Sequence, residues 1–178
     1  VTQQAIRQGL AGVLQHYAQH PEQAVGNDRP ATAVVEQGLR CRAEGPNGAV
    51  LVTDMPVPLG GGASAPTSGW FLRAALATCD ATMIALRAAQ LGVTLTQLEV
   101  TVESRSDNRV MLGGAEGGWP GPLDMRVRVR IAADGVPAEQ LHAIVDWAES
   151  HSPVGDALKR AVAVSVEVET AAHAANVT

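Results

Sequence analysis

The 178-residue chain has two cysteines, one lysine and no apolar run approaching the ~20 residues that a membrane span requires. Each scarcity excludes a class of protein. Cys41 and Cys79 cannot support a disulfide-dependent scaffold, and such sparing use of cysteine points to a reducing, cytoplasmic compartment. Basic residues number 13 against 18 acidic ones, for a formal net charge of −5, and every basic residue except Lys159 is arginine. A nucleic-acid or anionic-membrane binder shows the opposite excess, so neither is expected as a partner. The start, VTQQAIRQGL, lacks the charged-then-apolar layout of a leader. Also missing are a Gly-x-Ser-x-Gly elbow, a Cys-x-x-Cys pair and the Gly-Lys-Ser/Thr of a phosphate loop. What is present is a hydrophobic content of 46%, too high for a disordered chain and enough, at this length, for one domain with a real core.

Ile6, Leu10, Val13, Leu14 and Tyr17 recur at helical spacing, so residues 1–20 are expected to form an N-terminal helical extension stopped by Pro21. The polar stretch 21–30 reads as a linker, 31–172 as the main domain and 173–178 as a tail. Ala31 to Arg42 and Ala49 to Met55 are expected as two strands, joined across Glu44-Gly45-Pro46-Asn47-Gly48 with its Asn-Gly hairpin signal. A long helix follows from about Ser68 to Leu91, with Gly92 placed to end it and an apolar stripe of Leu72, Ala75, Leu76, Cys79, Met83 and Leu86.

Three later segments alternate with period two: Leu98, Val100 and Val102; Met125, Val127, Val129 and Ile131; and Val162, Val164, Val166 and Val168. Their opposite faces carry Glu, Arg and Glu in turn, which favours the arginine strand lying between the other two. A further helix opens at Pro137, carries Leu141, Ile144, Val145 and Ala148, and closes at His151-Ser152-Pro153. The Gly- and Pro-rich stretch 106–122 is expected to be irregular. The pattern is α+β, an antiparallel sheet covered on one side by helices.

Cys79 lies about three turns into the long helix, on its apolar stripe. It either packs as a small hydrophobe or serves as a thiolate beside a cation brought from elsewhere, because the helix N-terminus is too distant to help. Arg40 and Arg42 share one face of their strand and Cys41 points to the other, so a single register offers Cys79 either the arginines or the second thiol. Gly60 to Gly62 form either a tight turn or a backbone cradle for an anion. His16 and His20 stand at i, i+4 without a third ligand, so no metal is expected. Ser152, with Pro153 after it, is a good N-cap for a short helix before Ala161.

The order of these parts resembles the OsmC/Ohr family of thiol-dependent hydroperoxide reductases. The resemblance is carried by the hairpin, the Pro58-Leu59-Gly60-Gly61-Gly62 loop, the stretch WFLRAALATCDATMIALRAAQLGV, the strands LTQLEVTVE and DMRVRVRI, and the helix ending His151-Ser152-Pro153-Val154. It leaves the first helix outside the shared part. It implies an OsmC-like fold in which two long helices are wrapped by antiparallel sheets of an intertwined homodimer, with active sites at the subunit interface and no cofactor.

The resemblance also assigns roles. Cys79 falls on the peroxidatic cysteine and Ser152 on the resolving one, while Gly69 stands where the family places a glutamate; Arg40 or Arg42 would hold the thiolate. The implied activity is reduction of an organic hydroperoxide through a sulfenic acid, with an external thiol in place of the absent resolving cysteine. Trp70, Phe71 and Met83 would line the pocket for the organic tail. Two other readings stand beside it: Cys41 as a substitute resolving thiol, and a non-catalytic protein that binds a small apolar ligand at the interface.

Overall fold

The computed structural model describes residues 2–170; the tail expected at 173–178 lies outside them. Helix α1 (Gln3–Gln19) starts where the Thr2 hydroxyl accepts a hydrogen bond from the Ala5 amide, and it stops before a short 3-10 turn at Pro21–Ala24. Gln3 fastens its start to the loop beyond the long helix, donating to the Val93 carbonyl and accepting from the Thr94 hydroxyl. Val13, Leu14 and Tyr17, further along, are exposed.

Strands β1 (Thr32–Gln37), β2 (Arg40–Glu44) and β3 (Val50–Thr53) form an antiparallel sheet in the order β1-β2-β3. The single strand expected over Ala31–Arg42 is therefore two. The chain reverses at Gly38, whose φ of 57° supplies the left-handed step that folds Val35 back against Cys41. The second reversal falls at Asn47 and Gly48, as the Asn-Gly pair indicates. Val34, Val35 and Val50 of this sheet stay exposed, and the helices of the chain pack on each other and on the second sheet instead.

The centre of the molecule is α2 (Ser68–Gln90). Thr67 caps it by accepting from the Trp70 amide, and it ends with Gly92 and Val93 bonding back to the carbonyls of Ala89 and Ala88. Its most buried stripe is Leu76, Asp80, Ile84 and Ala88, spaced by four. Cys79, Met83 and Leu86 lie at the half-buried flank of that stripe, and Ala75 is exposed. The buried face is thus turned by about one residue from the apolar pattern, and a carboxylate occupies its middle.

Strands β4 (Gln97–Ser106) and β5 (Pro122–Ala132) pair antiparallel, with Glu99 opposite Arg130, Thr101 opposite Arg128 and Glu103 opposite Arg126. Leu98, Val100, Val129 and Ile131 turn inward onto the core of Ile84, Ala88, Val93, Leu141, Ile144 and Ala148. The outward ion pairs Arg130–Glu99 (3.1 Å) and Arg128–Glu103 (3.5 Å) are solvated and contribute little. Helix α3 (Asn108–Met111) interrupts the connection between these strands, which is otherwise irregular.

Helices α4 (Ala138–His151) and α5 (Pro153–Lys159) follow, joined at Ser152. The alternating segment at Val162–Val168 pairs as a strand with none of the described residues. It runs unpaired, with Val164, Val166 and Val168 at 84%, 82% and 79% exposure, so the arginine strand β5 has β4 as its only described neighbour.

Candidate active site

Glycine 61 shows how the chain enters this region. A Cβ there would lie 2.0 Å from the Met55 carbonyl oxygen, so only glycine permits the loop to close over β3. The loop is held by Asp54, a buried carboxylate that accepts from the amides of Met55 (2.7 Å), Gly62 (3.3 Å) and Ser64 (3.0 Å) and from the Ser64 hydroxyl (2.8 Å). Donation from Ser64, backbone and side chain, lowers the Asp54 pKa to about 2 against the opposing effect of burial. The amides of Gly60 and Gly61 are spent on Val57 and Pro56. The glycine run is therefore a tight closure organised by an internal carboxylate, not an anion cradle.

Arg40 belongs to the same network, donating to Ser64 at 2.6 Å and to Glu36 at 3.1 Å. Arg42 pairs with Glu36 and Glu44. Neither arginine bonds to Cys79 within the chain, and both cysteines are free thiols. The Cys41 sulfur has the Leu39 carbonyl as its polar neighbour, at 4.0 Å. His16 bonds to Gln23, and no three metal-ligating side chains converge among the described residues.

The Cys79 sulfur faces the joint between α4 and α5. Ser152 Oγ donates to Cys79 Sγ at 3.3 Å and accepts from the Gly155 amide at 3.1 Å, so one hydroxyl both caps α5 and reaches the thiol. A Cβ at Gly155 would lie 3.0 Å from the same oxygen, so a larger residue there would have to displace the Ser152 side chain. Ser152 is 1% exposed, as is Asp80 immediately beyond Cys79. Burial raises the Asp80 pKa; Glu149 on α4 adds to the rise, while Ser152 and Lys159 oppose it. Glu149 is itself ion-paired to Lys159 at 3.0 Å.

A cavity of about 370 Å³ adjoins this cluster, walled by Leu72, Leu76, Met125, Val127 and Leu158, with Glu149 and Lys159 at its polar edge. Trp70, Phe71 and Met83 do not line it. Trp70 is exposed and meets Phe71 edge-on at 4.9 Å, whereas Met83 packs on the core. Gly69 sits in the first turn of α2, exposed, with the Arg73 guanidinium 3.9 Å from where its Cβ would be.

Residues 60–167 match the family model described as OsmC-like protein, which covers most of the chain. The chain belongs to the OsmC-like family. Solved structures agree on the fold. An OsmC-like protein from Mycoplasma pneumoniae superposes with a TM-score of 0.65 at 16% identity, over 77% of this chain and 91% of that one. The organic hydroperoxide resistance protein OsmC from Legionella pneumophila gives 0.56 at 21% identity, over 76% and 91%. An organic hydroperoxide resistance protein from Elizabethkingia anophelis, with thiocyanate bound, gives 0.56 at 17%, over 76% and 90%. A search of the curated proteins gives no significant match.

Within this OsmC-like chain, the expected peroxidatic and resolving positions are in direct contact, and the arginines are not beside them. Asp80, Glu149 and the Leu72–Leu158 cavity escaped the sequence reading. A carboxylate at i+1 from a cysteine carries no signal of its own, although its i, i+4 spacing from Leu76 and Ile84 puts it on a buried face. No helix among the described residues is long and apolar enough to cross a membrane.

Proposed function

We propose that this OsmC-like protein is a one-cysteine peroxidase for organic hydroperoxides, acting in a reducing cytoplasm as a homodimer. The observation that carries the reading is the 3.3 Å contact of Ser152 Oγ with Cys79 Sγ, which gives the helix-borne sulfur a hydrogen-bond donor able to support a thiolate. The family likeness to organic hydroperoxide resistance proteins supplies the substrate class, and the apolar cavity beside Ser152 suits an organic tail.

The Cys79 thiolate attacks the terminal peroxide oxygen. The S–O bond forms as the O–O bond breaks, the alkoxide leaves as an alcohol after taking a proton, and the sulfur becomes a sulfenic acid. Ser152 cannot condense with it. An external thiol attacks the sulfenic sulfur with loss of water, and a second thiol reduces the mixed disulfide to restore Cys79.

The dimer rests on what one chain leaves uncovered: the apolar β1–β3 sheet and the unpaired, alternating Val162–Val168 segment. In such a dimer Arg40 or Arg42 would hold the Cys79 thiolate only by leaving its present carboxylate partners. The engagement of both arginines by Glu36 and Glu44 favours a second reading, a non-catalytic binder of small apolar molecules in the same cavity. Cys41 as a resolving thiol stands as a variant of the first reading.

Titration with an organic hydroperoxide, followed by trapping and mapping of a sulfenic acid, separates the readings. An adduct at Cys79 that disappears on adding dithiol is the expected result. No adduct in the folded protein removes the peroxidase and leaves the binder; a Cys41–Cys79 disulfide selects the variant.

A further inference from the structure

Most arginines of the chain are matched to a carboxylate: Arg105 meets Asp124 at 2.7 Å, Arg109 meets Asp107 at 2.6 Å and Arg130 meets Glu99 at 3.1 Å. Arg73 on α2 is not. It is half-buried, and among the described residues its guanidinium has one polar partner, the Ser104 hydroxyl, which accepts from Nη1 at 3.1 Å. A guanidinium carries five N–H donors in a planar fork whose shape suits a carboxylate. Asp107 and Asp124, the acidic residues next to this region in sequence, are already taken by Arg109 and Arg105.

Arg73 lines a cleft of about 610 Å³ between the start of α2 and the segment that joins β4 to β5. Met55, Leu59, Leu72 and Met111 give it apolar walls, and no carboxylate among the described residues lines it. A cation held half out of water against such walls loses hydration that nothing in the chain replaces in full. Gly69 keeps the space over the guanidinium open. A Cβ built there would meet nothing closer than the Thr67 hydroxyl at 3.8 Å and Arg73 Nη1 at 3.9 Å.

The cleft does not end at Arg73. Leu72 and Pro122 line both it and the 370 Å³ cavity beside Ser152, so the two spaces adjoin. Along α2 the ten residues from Gly69 to Cys79 advance by about 15 Å. One end of this path is a lone positive charge and the rest is largely apolar, a lining that fits a molecule with an acidic head and a hydrocarbon chain.

We propose that Arg73 heads a binding subsite for a long-chain monocarboxylic acid. The carboxylate pairs with the guanidinium in the space over Gly69, and the chain runs past Leu72 and Pro122 into the cavity beside Ser152. The subsite shares its tail cavity with the peroxidase reading and rests on none of that chemistry.

The test is calorimetric titration of the full-length protein with dodecanoate and with dodecanol, which share a chain and differ in the charge of the head. Wild type is expected to bind one dodecanoate at least about tenfold more tightly than dodecanol. Arg73→Met should remove that preference while dodecanol affinity stays within about twofold of wild type. Gly69→Glu should remove it too, because its carboxylate, four residues before Arg73 on the helix, occupies the guanidinium from within. Arg126→Met, on the exposed outer face of β5, should leave the preference intact. Wild-type protein that binds the alcohol as tightly as the acid, or binds neither, overturns the subsite. So does a preference that survives both cleft substitutions, or one that falls equally in Arg126→Met and so belongs to general charge. Should Arg73→Met not fold, Gly69→Glu and the wild-type comparison decide. Neither ligand carries a peroxide, so failure here leaves the peroxidase reading standing, and a Cys79 inert to hydroperoxide leaves the subsite standing.

Discussion

Replacing Ser152 by cysteine puts a second sulfur against Cys79, at the position where the family resemblance expects the resolving thiol. The oxygen already lies 3.3 Å from Cys79 Sγ, so little backbone movement separates the pair from a bond of about 2.05 Å. Two opposing effects follow. In the reduced state the variant loses the α5 cap that Ser152 gives to the Gly155 amide, a loss of about 1 kcal/mol. In the oxidised state the cross-link joins positions 73 apart in sequence, and the lost chain entropy of such a loop is worth about 4 kcal/mol of stabilisation.

Relative to wild type, reduced Ser152→Cys should therefore be about 1 kcal/mol less stable and the oxidised form about 3 kcal/mol more stable. For a domain of this size that corresponds to a Tm lowered by about 2–4 °C with reductant and raised by about 6–12 °C without it. Thermal melts with and without dithiol read both numbers. Thiol titration should find one remaining free cysteine after a single equivalent of hydroperoxide, and peptide mapping should identify it as Cys41. A variant that keeps all its thiols after oxidation, and melts alike in both conditions, would show that α2 and the α4–α5 joint do not meet at these side chains. The Cys79–Ser152 pair would then be refuted as the heart of the site.

Cys79→Ser should abolish both hydroperoxide consumption and sulfenic acid trapping, whereas Cys41→Ser should leave them intact; the reverse pattern would move the chemistry to the β1–β3 sheet. The Asp54 pKa is lowered in the fold from 3.8 to about 2, so its contribution to stability is complete above 3.8 and is lost as pH falls through 2. Acid-unfolding curves of Asp54→Asn should accordingly be shallower over that window, and an unchanged slope would contradict the assignment. Gly61→Ala forces a methyl group to within 2.0 Å of the Met55 carbonyl and should cost about 1–3 kcal/mol in denaturant melts, with the β3–α2 loop loosened. Val35→Lys on the exposed sheet should move the chain from dimer to monomer in sedimentation velocity; a wild-type chain that sediments as a monomer would refute the subunit arrangement.

The elements that a period-two or period-3.6 pattern can specify were legible in the residues. The Thr67-to-Gly92 helix, the Leu98 and Met125 strands, the Asn47-Gly48 turn and the Ser152 cap each follow from local chemistry that the fold leaves unopposed. Two misreadings share one cause. Val34 to Arg42 continues an alternating pattern across Gly38, and the pattern conceals a reversal that the glycine permits. Val162 to Val168 alternates as well as any strand, yet finds no pairing partner among the described residues. Alternation records that a segment suits a sheet, and says nothing of where the neighbouring strand comes from.

The site was harder to read, for a different reason. Cys79 and Ser152 are far apart in sequence, and only the order of the family's parts links them; no local spacing does. Asp80 was hidden because hydropathy sends every carboxylate to the surface, whereas its position four residues from both Leu76 and Ile84 buries it. A carboxyl at a core position violates the pattern that built the rest of the helix. In this helix the violation falls one residue from Cys79, whose sulfur accepts from Ser152. A residue placed there for packing alone would be served better by leucine.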